Sequence, residues 1–178
     1  GADAISDLGF NVWVVEEVIQ DNNISKEENS LNFLFNILGE TNYSYFGGAY
    51  NINDTEFRGF SIVNETLADN SSVEHHFLQS DALKGKEFKT ITYDKNGNVF
   101  SKTENNFNFT EIKTDGRDYF TVHLDSTASY LFDGITTDSD DNSKSKIINI
   151  SYKYDNYSNV ISKTQHGDIS ITGDEKYE

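Results

Sequence analysis

The run Tyr93-Asp94-Lys95-Asn96-Gly97-Asn98-Val99-Phe100-Ser101-Lys102-Thr103 returns as Tyr154-Asp155-Asn156-Tyr157-Ser158-Asn159-Val160-Ile161-Ser162-Lys163-Thr164. Both copies fit Y-D-x-x-[GS]-N-V-x-S-K-T without a gap. A matched internal repeat signals repeated architecture before it signals chemistry. Each copy reads as strand, tight turn, strand. Asp, Asn and Gly supply the side-chain-to-backbone hydrogen bonds and left-handed conformations that a hairpin turn needs. Val-x-Ser-x-Thr then opens the return strand at period two. A chain built on this unit makes a wall of hairpins.

The remaining sequence agrees with that unit. Aromatic residues make up 13% of the 178 residues, and Pro is absent. The aromatics fall in short runs separated by Asn, Asp, Gly and Ser, a mixture that favours strands. The length allows one β-domain or two small ones with a sizeable core. Alternation predicts strands over 31–37 and 42–50, and Val, Trp, Phe and Ile content predicts them over 10–19, 56–66 and 73–79. Three further short strands are expected at 107–112, 119–124 and 128–132. In 31–37, Leu31, Phe33, Phe35 and Ile37 keep period two, although Leu34 and Leu38 also fit a helix. Residues 20–30 and 136–146 read as polar loops. The expected fold is all-β, with antiparallel strands and hairpins. A candidate boundary near 114–118 divides the chain into residues 1–113, with the first copy, and 114–178, with the second.

The formal charge is -16 and the pI is near 4.4. Such a surface repels nucleic acid and anionic membrane, so neither is an expected partner. No apolar run approaches a membrane span. Cysteine is absent, which excludes disulfides and zinc-thiolate sites. Methionine is also absent and the chain starts Gly1-Ala2, which reads as a piece cut from a longer protein.

Little in the chain points to catalysis. His75 and His76 are adjacent, so on a strand they face opposite ways and cannot share a metal. His123 and His166 stand alone in the sequence. Asp138, Asp140 and Asn142 match positions 1, 3 and 5 of a calcium loop. Ser143 stands where a Gly is expected, and Asn149 where a bidentate Glu belongs, so a solvated loop is the plainer reading. No nucleophile elbow, phosphate loop or dinucleotide fingerprint occurs. No catalytic residue and no cofactor is assigned.

Tyr43-Ser44-Tyr45-Phe46-Gly47-Gly48-Ala49-Tyr50, followed by Glu56-Phe57-Arg58-Gly59-Phe60, resembles the middle region of the B component of bacterial Tc insecticidal toxins, shared with SpvB-type virulence proteins. Phe10-Asn11-Val12-Trp13-Val14-Val15-Glu16 is similar to that family's entry into the region. The two Tyr-Asp segments resemble the YD units of Rhs proteins, through Tyr93, Asp94, Gly97 and Asn98 and through Tyr154, Asp155 and Asn159. Ser158 departs from the usual Gly, which predicts a looser or different second turn. The resemblance implies a secreted or cell-surface, non-catalytic segment of a toxin shell that encloses or presents an effector. Its partners would be neighbouring segments of the same long chain and other toxin-complex components. An adhesin-like module that holds a sugar or protein through Trp13 and Tyr is the alternative.

Within Glu56-Phe57-Arg58-Gly59-Phe60, strict alternation puts Phe57 and Gly59 on one side and Arg58 and Phe60 on the other. Phe57, Gly59 and Phe60 are expected in a packed, largely buried strand. Arg58 is expected to fork onto a carboxylate such as Glu56 or stack on a ring.

Overall fold

Short β-rich runs separated by turn residues need only the next run in the chain as a partner, and the sheet is built that way. The computed structural model describes residues 8–21, 37–115, 117–168 and 176–177. Ten strands follow one another: β1 Glu17–Asp21, β2 Ile37–Asn51, β3 Glu56–Leu67, β4 Ser72–Phe77 and β5 Glu87–Tyr93, then β6 Val99–Thr114, β7 Arg117–Thr136, β8 Lys146–Tyr154, β9 Val160–Asp168 and β10 Lys176–Tyr177. They form one sheet whose spatial order is the chain order, and every neighbouring pair is antiparallel. The fold is all-β, as the patterning predicts. A 3-10 turn at Asn142–Lys144 is the one helical element among the described residues.

Several boundaries differ from the expected ones. Residues 11–16 are not strand; β1 starts only at Glu17. Phe10 instead packs edge-on against Tyr50, with ring centroids 5.0 Å apart. The three short strands expected between 107 and 132 are parts of two long ones, β6 and β7, paired from Thr114↔Arg117 back to Val99↔Thr136. The polar residues between the apolar runs stay in the ladder because they satisfy one another. Asn105 Nδ2 donates to the Glu87 carbonyl at 3.0 Å, and Thr127 Oγ1 donates to Asn105 Oδ1 at 2.9 Å. The candidate boundary at 114–118 falls at the tip of this hairpin, and the sheet runs on through β7 to β8. The strand expected over 31–37 lies outside the described residues except for Ile37, which opens β2.

The core is smaller than the length suggests. Among the described residues only Leu8, Ile91, Val99 and Phe132 are buried apolar side chains. Ile91, Val99 and Phe132 touch one another across β5, β6 and β7, with Tyr93 and Tyr130 packed alongside. A single sheet buries a side chain fully only where neighbouring strands crowd it, so most apolar residues here are half-covered.

Candidate functional site

The two repeat copies fold into the same turn, atom for atom. In the first, the Asp94 N–H donates to the Asn98 carbonyl at 2.8 Å, and the Gly97 N–H to the Asp94 carbonyl at 2.9 Å. In the second, the Asp155 N–H donates to the Asn159 carbonyl at 2.9 Å, and the Ser158 N–H to the Asp155 carbonyl at 3.1 Å. Asp94 Oδ1 accepts the Asn96 and Asn98 N–H groups, both at 2.8 Å. Asp155 Oδ1 accepts those of Tyr157 and Asn159 at 2.8 and 2.9 Å. The Asn98 and Asn159 side-chain amides each donate to the other carboxylate oxygen at 3.0 Å. Each copy carries a register shift at its Tyr, so Tyr93 pairs with Val99 and Tyr154 with Val160. The side-chain bond from the Asn, then its backbone N–H, holds each Asp carboxyl below the usual aspartate range. Ser158 does not loosen the second turn. It adopts φ +69°, where Gly97 has φ +80°.

What lies over the two hairpins differs. Tyr93 packs on the Ile91–Val99–Phe132 cluster. The Tyr154 ring lies 4.4 Å from that of His123, and its hydroxyl donates to the Leu124 carbonyl at 2.9 Å. Val99 is fully buried, whereas Val160 is 54% exposed. The turn chemistry repeats; the cover does not.

In the second motif, the alternation breaks at Gly59. Tyr50 pairs with Phe57 and Gly48 with Phe60, so β3 carries one residue more than β2 between these pairs. Gly59 takes up the extra residue at φ +83°, a conformation that costs little only for glycine. Phe57 and Phe60 therefore share a face rather than opposing ones, with centroids 5.4 Å apart, and Tyr45 lies 5.0 Å from Phe60. Both phenylalanines are half-buried, where the sequence predicts a packed, largely buried strand. The Gln79 amide ties the bulge down, donating to the Gly47 carbonyl at 2.7 Å and the Gly59 carbonyl at 2.9 Å.

Arg58 pairs with Asp54 at 3.1 Å and with Asp81, not with Glu56, which takes Lys84 at 2.5 Å. Its partners Asp54 and Asp81, with Glu56 and Lys84, line an open groove of about 980 Å³ that Asp118 and Tyr119 of β7 complete. The Arg58 guanidinium is already matched by two carboxylates, and the groove is acidic, so an external anion has no vacant cation to meet.

The loop after β7 holds the calcium-loop candidates. Asp138 Oδ1 accepts the Asp140 N–H at 2.9 Å. Asn142 Oδ1 accepts a hydrogen bond from Lys102 Nζ at 3.0 Å, and Asp140 Oδ1 lies 4.0 Å from that nitrogen. Of the three candidates, Lys102 Nζ thus reaches Asn142 and Asp140. Among the described residues, no group of three or more His, Cys, Asp or Glu side chains is arranged to hold a metal ion.

The histidines follow strand geometry. His75 meets Glu87 at 2.5 Å and stacks on Phe77, while His76 meets Glu74 at 2.5 Å and the Phe88 ring. His166 Nε2 lies 2.9 Å from Ser151 Oγ, and His123 meets Tyr154, so neither stands alone in space. No sequence signal marks three residues that the structure makes prominent. These are Lys102, whose side chain is 1% exposed, Phe132 and the bulge-clamping Gln79. Lys102 and Lys163 are indistinguishable within the motif.

No protein-family model matches the chain, and no curated protein matches it in sequence. Solved structures do. A crystal structure of TcdB2-TccC3 without its hypervariable C-terminal region superposes with a TM-score of 0.61 at 13% identity, over 71% of this chain and 9% of that one. A crystal structure of TcdB2-TccC3 gives 0.58 at 13% identity, with the same shares covered. A structure of the Photorhabdus luminescens Tc holotoxin pore gives 0.59 at 12%, again over 71% and 9%. At that identity the likeness is one of fold, and the fold is Tc toxin-like. The chain spans about a tenth of the length of these neighbours. Among the described residues no helix is long and apolar enough to cross a membrane, which says nothing of strands.

Proposed function

We propose that this chain is a non-catalytic wall section of a Tc/Rhs-like toxin shell, secreted as part of a toxin complex, which encloses or presents an effector carried elsewhere. One observation carries the reading. Hairpin follows hairpin in strict chain order through a single sheet, and the same Asp-Asn turn closes two of them. Such a sheet grows by adding units along one direction, as a wall does. The Tc toxin-like fold supports it. The two turns act as YD units, and Glu56–Phe60 as an SpvB-type bend pinned by Gln79. The partners are adjoining segments of the same long chain and other toxin-complex components. The chemistry assigned to each motif residue is structural: turn closure by Asp94 and Asp155, a bulge at Gly59, charge matching at Arg58. The section has no enzyme activity of its own.

A second reading rests on Trp13, which is 99% exposed. An exposed indole is a common platform for sugars in binding modules. A glycan array on the purified chain, run beside a hydrolase and transferase panel, separates the readings. No specific glycan and no turnover supports the wall section. Specific binding lost in Trp13→Ala establishes the adhesin reading instead, and turnover lost on changing a particular carboxylate establishes an enzyme.

A further inference from the structure

Lys102 is the most deeply buried charged residue among the described ones, and its surroundings are more specific than an ion pair requires. Its Nζ lies 3.0 Å from Asn142 Oδ1 and 3.2 Å from Glu104 Oε1. Glu104 stands two residues along β6, on the same face, and its other oxygen accepts the Tyr130 hydroxyl at 3.0 Å. Tyr130 pairs directly with Lys102 across β6 and β7, and its ring covers the nitrogen at 4.2 Å. An amine, a carboxamide and a carboxylate thus meet beneath the Tyr130 ring. We infer that Lys102 and Asn142 form an intramolecular isopeptide bond, with Glu104 carrying the proton.

The reaction closes without any added reagent. Glu104 takes a proton from the Lys102 ammonium, and the freed Nζ attacks Asn142 Cγ, one bond beyond the oxygen it already touches. The Nζ–Cγ bond forms. Glu104 hands that proton to Nδ2, the Cγ–Nδ2 bond breaks, and the departing ammonia takes the second amine proton, leaving one hydrogen on the new amide nitrogen and Glu104 ionised as it began. The net change is loss of one ammonium ion, with no oxidation or reduction. The 3.0 Å contact between Nζ and Oδ1 holds the amine beside the carboxamide, so the attack on Cγ is intramolecular and replaces a bimolecular encounter. Tyr130 excludes water from the amine side. Asn142 stands exposed on the loop, so the leaving ammonia has a way out. The bond staples the loop between β7 and β8 to the start of β6, beside the Ile91–Val99–Phe132 cluster. In the second copy, Lys163 holds the matching position and serves as the internal control.

Intact-mass spectrometry and a tryptic map of the purified 178-residue chain test this. The expected mass is lower than that of the sequence by one ammonia. A branched peptide should join Lys102 to Asn142, with no cleavage after Lys102. Lys102→Arg should restore the full mass, as should Glu104→Gln, while Lys163→Arg should remain cross-linked. A wild-type chain at full mass, with both residues recovered in linear peptides, overturns the bond. So does an ammonia loss that persists in Lys102→Arg, because a succinimide at Asn142-Ser143 loses the same mass. A cross-link that forms undiminished in Glu104→Gln overturns the role of Glu104.

Discussion

Ser158 occupies the left-handed position of the second turn that Gly97 occupies in the first, at φ +69° against +80°. The surrounding hydrogen bonds are the same, so the residue adapts to the turn and not the turn to the residue. A side chain in that conformation costs about 1–2 kcal/mol. Gly97→Ala should therefore destabilise by about 1 kcal/mol, since a Cβ there meets nothing within 4 Å and backbone strain outweighs the lower freedom of the unfolded chain. Ser158→Gly should stabilise by roughly 0.5 kcal/mol, because the added freedom of the unfolded chain offsets part of the relief. Urea melts of both variants check the signs.

The turn carboxylates give the chain an acid dependence of known direction. Asp94 and Asp155 are held below the ordinary aspartate value by hydrogen bonds that exist only when the turns are folded. Their stabilising contribution is complete above the ordinary aspartate range. It is lost as pH falls through the lowered native values. Proton NMR of the Asn98 and Asn159 amides should show both turns titrating at lower pH than a model aspartate. In Asp94→Ala and Asp155→Ala the corresponding titration should vanish.

Burial ranks the aromatic truncations. Phe132 is 1% exposed, so Phe132→Ala should cost about 3–5 kcal/mol. Phe57 and Phe60 are half-covered, so alanine at either should cost less, about 1–2 kcal/mol. Thermal melts that place Phe60→Ala above Phe132→Ala in cost would show that the β2–β3 face is covered in solution.

The two copies should respond unequally to one substitution. Val99→Thr buries a hydroxyl beside Ile91 and Phe132 and should cost about 1–3 kcal/mol. Val160→Thr, at an exposed position, should change stability by less than about 0.5 kcal/mol. Equal costs in denaturant melts would mean that both copies sit under similar cover.

Legibility in the sequence follows the range of the forces involved. The Tyr-Asp turns were readable because Asp94 and Asn98, or Asp155 and Asn159, satisfy one another within five residues. The β3 and β4 strands are readable because their short runs of aromatic and β-branched residues between polar turns are local signals. Phe57 and Phe60 were placed on opposite faces because a bulge at Gly59 leaves no mark in a period count. The long β6 and β7 ladder was cut into short strands because Asn105 and Thr127 look like loop residues until the hydrogen bond between them is seen. Lys102 was invisible because its partner Asn142 arrives from a distant loop. Val99 and Val160, identical in motif, differ in burial because Ile91 and Phe132 of the neighbouring strands pack on the first, which no local pattern encodes.

The wall role can be measured in place. The aligned segment of a TcdB2-TccC3-type protein can be replaced by this chain, and the product imaged by electron microscopy with protease digestion in parallel. A closed, protease-resistant shell is the expected result, with Gly97→Ala and Asp94→Ala in the transplanted segment lowering its resistance. A transplanted segment that shows its strand signature by circular dichroism, yet leaves the shell open and digested, would contradict a wall section.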